Sequence, residues 1–554
     1  MALARRRSKT LTVAGRGGLA AAMNRWPALL LALAAMASPA LGEPLSPRAQ
    51  AWWDDIRALA SDSMEGRLTG APGYMRAADY VEGRMRAEGL APAGENGGYR
   101  QSVAFVAQTV DQGASQAALT GGAAGRVALT VGRDLLVGAG GGPRAARLAA
   151  PMVFIGYGLH LPERGHDDLA GVDLKGKIAV VISGGPADIP GPVKAAARFE
   201  RVRLLAKAGA VGLVSLTTPK QVEIPWARQI LLSGQAGMYL ADPALRDMPD
   251  GFLTASLDPA ASERLFEDSG HTFSELSAVA DASGTVPGFP LARGLEVEVA
   301  AVRAPLTSPN LIARLEGSDP KLKGEYVAVS AHLDHLGIGA PINGDAIYNG
   351  AMDDASGVAS VLDIAHTLKG ASRRPRRSVL FVIVTAEEKG LLGSHYLALR
   401  PTTPPGAVVA DLNFDMPLPL WPLKSVIVQG ADESTLGADA RAVATAQGLT
   451  LAPDPLPDRN SFIRTDQFSF VRQGVPSLAF KFGFAKGTPE FQIEHDWRAT
   501  RYHAPSDDLD QPGVLKEEAV KLDAYVAALL ARVADEPVRP QWLESSVFRR
   551  YARP

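Results

Sequence analysis

Several short stretches of this sequence carry side chains of the kind that hold metal ions and move protons. They are His332-Leu333-Asp334-His335, then Asp353-Asp354-Ala355-Ser356-Gly357, then Glu387-Glu388-Lys389-Gly390-Leu391-Leu392-Gly393-Ser394, then Asp415, and finally Tyr502-His503-Ala504-Pro505-Ser506-Asp507. Singly, each has a plainer explanation. His332 suits a satisfied core histidine, Asp353 or Asp354 a helix N-cap, Glu387 and Glu388 first-turn acids favoured by a helix dipole, and Asp415 a turn. Jointly the plain explanations weaken, because each stretch follows a run that reads as a buried strand or opens a helix. Two imidazoles and three carboxylates, one of them bridging, make two adjacent nitrogen- and oxygen-rich sites suited to zinc. Paired divalent ions lower the pKa of a shared water and clamp a tetrahedral intermediate. A further carboxylate must then take the proton from that water and pass it to a leaving amine. The Glu387-Glu388 pair offers one side chain for each task.

These residues need a scaffold that brings strand ends together. Glu325 to Ser330, Ser378 to Thr385, Val408 to Phe414, Ser425 to Val428 and Ser477 to Phe482 are short apolar, β-branched runs. Ser356 to Lys369 and Val514 to Val533 have helical spacing, the latter with Leu515, Leu522, Val526 and Leu529 on one face. Strands alternating with helices predict an α/β fold, a mostly parallel mixed sheet covered by helices on both faces. The site of such a sheet lies beyond the carboxyl ends of its strands. Ahead of this region, Ala49 to Ala60 and Tyr74 to Glu88 read as helices. Met152 to Ile155, Ile178 to Ile182 and Gly209 to Val214 read as strands of a small β-rich module. That module has no convergent His or acid cluster, which argues for a lid or binding insert. Gly138 to Gly142 reads as a turn or linker.

Composition narrows the class. At 554 residues, two to four domains are expected. A hydrophobic share of 46% rules out disorder as the whole-chain answer. The net charge of −2 leaves no basic stripe, so no nucleic-acid partner is expected. With no cysteine, any metal must be held by His, Asp and Glu. Residues 1–42 carry Arg5, Arg6, Arg7, Lys9, Arg16 and Arg25 and no acid, then a short apolar run and Ala40-Leu41-Gly42. This is the pattern of a secretory signal, and the run is too short to span a bilayer. Met23 is an alternative start. The expected product is secreted or periplasmic, with no stable membrane anchor in the mature chain.

In these motifs the sequence resembles the M28 family of dinuclear zinc exopeptidases, with a protease-associated (PA) domain inserted before the catalytic core. Leu59 to Arg67 resembles the family's opening, Phe154 to Gly158 and Asp173 to Lys177 the PA domain. The HxD, DDASG, EExGLxGS and YHxPxD elements occur in family order. The resemblance implies a zinc-exopeptidase fold and two Zn(2+) ions. His332 and Asp415 would bind one, Glu388 and His503 the other, and Asp353 would bridge them. Glu387 would be the general base, Asp334 would orient His332, and Tyr502 would help stabilise the oxyanion. The family also implies a cis Asp353–Asp354 bond. Relatives often carry Ser-Asp-His where this chain has Thr465-Asp466-Gln467, so no role transfers there. His335 reads as active-site wall rather than ligand. The domains expected are a signal at 1–42, an N-terminal catalytic part at 43–145, the PA insert at 146–295, the main catalytic domain at 296–540 and a surface tail at 541–554.

The long gap between His332 and Asp353 and the DDASG element favour an aminopeptidase acting on peptides. Glu490, Glu494 and Asp496 are candidates to hold a free amino terminus. A glutamate-carboxypeptidase-like enzyme is the alternative, with Arg459, Arg464, Arg498 and Arg501 as candidate holders of a terminal carboxylate. A non-catalytic peptide-binding protein with structural metals is a third possibility.

Overall fold

The strand Tyr326–His332 is buried along its whole length, as is its neighbour Ser378–Val384. Both faces of this sheet are therefore covered. Val327, Val329 and Ala331 point into one core, while Tyr326 and Ala328 point into another. The first core is closed by the helices Pro47–Leu59, Pro72–Ala87, Ser356–Gly370, Leu436–Ala446 and Lys516–Asp535. The second is closed by Leu392–Leu399 and Gln467–Val471. The computed structural model describes residues 44–222, 224–459 and 461–553. The leader read at 1–42 lies outside the described residues. No helix among the described residues is long and apolar enough to cross a membrane.

Across this sheet the order is Gly237–Leu240, Arg100–Val110, Ala301–Leu315, Ser378–Val384, Tyr326–His332, Val408–Asn413, Ser477–Phe482, Ser425–Gln429 and Thr450–Ala452, with Ala91–Pro92 also on Ala301–Leu315. The centre, from Ser378–Val384 to Ser477–Phe482, is parallel. The flank built on Arg100–Val110 and Ala301–Leu315 is antiparallel. Parallel strands put several carboxyl ends side by side, and the candidate residues follow those ends.

A second sheet holds Val127–Leu129, Gln116–Gly121, Gly288–Glu298, Arg147–Ile155, Ile178–Ile182, Gly212–Leu216, Leu253–Leu257 and Leu135–Val137, in that order. Its strands begin at Gln116, so the insert boundary expected at 146 falls too late. Residues 138–142 lie outside any strand, in the connection between Leu135–Val137 and Arg147–Ile155, as read from the sequence. The segment between 146 and 295 also sends Gly237–Leu240 back to the edge of the main sheet, so the two sheets are tied together more than once. The C-terminal segment is not a surface tail. Phe548 is fully buried against Phe462 and Phe468, and the Trp542 indole donates to the Gly474 carbonyl.

Candidate metal centre

Five segments meet at the carboxyl ends of the central strands, and buried polar groups lock them to one another. Asp354 does most of the joining. Its carboxylate accepts from the backbone of Gly357 at 3.1 Å, Met416 at 3.1 Å and His332 at 3.4 Å. One carboxylate thus fixes the chain beside His332, Asp353 and Asp415. Gly357 is required here, because a Cβ would lie 2.3 Å from that carboxylate. Asp507 holds the same loop from the other side, accepting from Met352 and Asp353 at 3.0 Å. Arg67 is buried and donates to the carbonyls of Leu59, Leu333, Asn349 and Gly350. The Asp353–Asp354 bond is cis.

Asp334 acts through two groups. Its carbonyl accepts from His332 Nδ1 at 3.0 Å, which leaves the Nε2 lone pair facing the site. Its carboxylate instead accepts from the backbone of Glu387 at 3.0 Å and Glu388 at 3.3 Å, and from Thr69 at 3.0 Å. The expected orientation of His332 therefore runs through the main chain of Asp334, and its side chain positions the glutamate pair.

Within this frame the candidate ligand atoms converge. His332 Nε2 is 3.2 Å from Asp353 Oδ1, and His332, Asp353 and Asp415 each offer a ligand atom within 4.8 Å of the others. His503 Nε2 is 3.4 Å from Asp353 Oδ2 and 3.2 Å from Glu388 Oε2. His335, Asp353 and Glu388 form a second such group. Asp353 sits between the two sets, one oxygen toward each. His332 Nε2, Glu388 Oε1 and both ring nitrogens of His335 are buried without a hydrogen-bond partner. Such orphaned atoms carry a desolvation cost, and divalent ions held by imidazole and carboxylate would satisfy them. The residues present fit zinc.

The electrostatics point the same way. Burial holds the carboxyls of Glu387 and Asp354 well above the usual range, with Asp415 adding to both. Burial pushes Asp466 up to about 7. Burial would also raise Asp353 and Glu388, but the imidazoles of His332, His503 and His335 outweigh it and hold both low. So many carboxylates in one dry pocket repel one another, and cations relieve that repulsion.

A cavity of about 430 Å³ opens on Asp353, Glu387, Glu388, Asp415 and His503. Tyr502 lines it, stacked on His503 at 3.9 Å with the Arg498 guanidinium 5.0 Å from its ring. Arg459, Arg464 and Arg498 line it as well; Arg501 does not, and its guanidinium donates to the Ser506 carbonyl. Glu494 is buried and salt-bridged to Arg459 and Arg498, while Glu490 and Asp496 are not among the lining residues. Phe199 reaches the cavity from the helix Gly191–Lys207 of the second sheet's segment and packs edge-on against Phe468 at 4.8 Å. Sequence reasoning gave no role to the side chains of Arg67 or Asp507 and read Asp354 as a candidate helix N-cap. The bond from Gly357 fits that cap, whereas the other backbone groups these side chains bind come from far along the chain.

Comparison with known proteins adds three findings. The model of peptidase family M28 matches residues 310–527. A protein named probable leucine aminopeptidase 2 from Aspergillus oryzae is 29% identical over 237 residues, 40% of this chain and 44% of its own length. A protein named probable zinc metalloprotease from Pyricularia oryzae is 35% identical over 115 residues, 21% of each chain. The chain thus spans less than half the length of these curated relatives. The solved aminopeptidase from Aneurinibacillus sp. strain AM-1 has a similar fold, with a TM-score of 0.50 at 19% identity, covering 89% of this chain and 95% of its own.

Proposed function

We propose that this chain, whose residues 310–527 match the model of peptidase family M28, is a zinc-dependent aminopeptidase that removes amino-terminal residues from peptides. The observation that carries this reading is the convergence of His332, Asp353, Asp415, Glu388 and His503 on two adjoining positions, with orphaned buried nitrogens and oxygens facing them. His332, Asp353 and Asp415 would hold one zinc; Asp353, Glu388 and His503 would hold the other. Bound zinc supplies Lewis-acid chemistry, lowering the pKa of water and polarising a peptide carbonyl. Glu387 takes the proton from the attacking water and returns it to the leaving amine. Tyr502, on the cavity wall, donates to the developing oxyanion. The second sheet's segment, read as a PA domain, roofs the cleft through Phe199 and limits it to chain ends. Export follows from the acid-free, cationic character of residues 1–42.

A second reading has one supporting observation: Arg459, Arg464, Arg498 and Lys481 line the same cavity. Those cations suit a substrate's terminal carboxylate, as in a carboxypeptidase. A substrate panel separates the two. Aminoacyl-nitroanilides should be cleaved only with a free amino group, and chelation should abolish turnover until zinc is restored. Release of carboxyl-terminal glutamate from amino-blocked peptides would replace the aminopeptidase reading with the second. In parallel, Asp353→Ala should lose metal and activity together; full zinc occupancy in that variant would refute the bridge.

A further inference from the structure

His335 has a chemistry that its neighbours do not explain. It is fully buried; neither ring nitrogen makes a hydrogen bond of good geometry, and the one close partner is the Glu388 carboxylate beside Nδ1. Its backbone is fixed by the N–H donated to the Arg67 carbonyl at 3.2 Å, so the ring is held rather than loosely placed. Nδ1 lies 2.7 Å from Glu388 Oε1 and 4.0 Å from Asp353 Oδ2. His503 approaches the same carboxylates from the other side, 3.2 Å from Glu388 Oε2 and 3.4 Å from Asp353 Oδ2. The two imidazole rings meet edge-on, centroids 5.9 Å apart. A fully buried imidazole and a half-buried one therefore divide the oxygens of one glutamate between them, with the aspartate facing both.

Four ligands at the 2.0–2.1 Å typical of zinc stand about 3.3 Å apart at the corners of a tetrahedron. The four separations that join the imidazoles of His335 and His503 to the carboxylates of Glu388 and Asp353 run from 2.7 to 4.0 Å. They bracket that spacing. Among the described residues, the other position has His332, Asp353 and Asp415.

We propose that His335 is a further ligand of the second zinc position, closing it with four protein side chains, while the first position keeps three. The inference rests on the two-zinc reading above. Closed four-ligand sites are characteristic of structural zinc, and sites with three protein ligands keep an open position for chemistry. The two ions thus have unequal tasks: the one beside His335 anchors Glu388, His503 and the bridge, and the one beside His332 offers the open coordination position.

The test uses the full chain loaded with cobalt in place of zinc, read by the paramagnetically shifted, exchangeable imidazole N–H resonances. Wild type should show three such protons, from His332, His503 and His335. His335→Ala and His335→Gln should each show two. Both variants should also release their second metal to a chelator at least ~10-fold more readily. Retention of native circular dichroism in either variant excludes misfolding as the cause. Two shifted protons in wild type and variants alike, with two metals bound, would overturn the ligand role and leave the two-metal reading intact. Failure of wild type to bind any metal would overturn both.

Discussion

Glu387 and Glu388 are sequence neighbours with opposite proton affinities. Burial raises the Glu387 carboxyl, with Asp415, Asp466 and Glu388 adding to it, whereas imidazoles hold Glu388 low. Divergent pairs of this kind mark a division between a group that carries protons and one that carries charge. A base must be ionised to act, so kcat/KM should fall as pH drops through the raised Glu387 pKa and level off above it. Glu387→Gln should lower kcat by about 10²–10⁴-fold and remove that acid limb, both read from pH–rate profiles. An unchanged limb in the variant would assign it to another group. At this scale the sequence was legible where chemistry needs a particular side chain. His332, Asp353, Glu388, Asp415 and His503 are all brought together. It was not legible where a side chain serves distant backbone, as with Asp507 and with Asp354 beyond its local N-cap bond to Gly357.

Among the elements, the loops of the site depend on groups supplied from elsewhere. Arg67 follows the N-terminal helix Pro47–Leu59 and reaches four carbonyls, two of them in the loop just before Asp353. Removing it leaves buried carbonyls unpaired. Arg67→Met should cost about 3–5 kcal/mol in denaturant unfolding and weaken metal binding by about 10-fold. Loss of stability without any change in metal affinity would show that the clamp does not position the site. Away from the site, the helices Lys516–Asp535 and Ser356–Gly370 bury Asp523 near Asp363, whose carboxylate is gripped by Arg48. Burial and Asp363 raise the Asp523 carboxyl well above its ordinary value. A raised acid favours the folded state while protonated, and that contribution is lost as pH rises from the unfolded pKa toward the folded one. Asp523→Asn should therefore stabilise the protein by about 1 kcal/mol or more near pH 7, and by less near pH 4. Equal unfolding midpoints for both proteins across that range would contradict it.

For the whole molecule, the main question is how the second sheet meets the catalytic one. The central strands and long helices were legible because buried parallel strands read as apolar runs. The antiparallel flank was not. Ala301–Leu315 carries Pro305 and Pro309 and an exposed first part, which hide a strand. Arg100–Val110 and the edge strand Gly237–Leu240 are defined by pairing partners distant in sequence. The C-terminal segment was misjudged for a related reason: Phe548 finds its place only against Phe462 and Phe468. Phe199 is where the second sheet's segment bears on function. Phe199→Ala should widen the cleft and raise kcat/KM for bulky or longer peptides relative to dipeptide-sized substrates by a few-fold, about what 1 kcal/mol gives. An unchanged ratio would mean that the roof sets no size limit.

The central claim is that two zinc ions and Glu387 together perform peptide hydrolysis. Its most direct test is to determine zinc content and nitroanilide turnover on the same preparations of wild type and Glu387→Gln. The account predicts two zinc per chain in both proteins and turnover almost confined to wild type. Undiminished turnover in the variant, or turnover by wild type that survives complete removal of zinc, would contradict it.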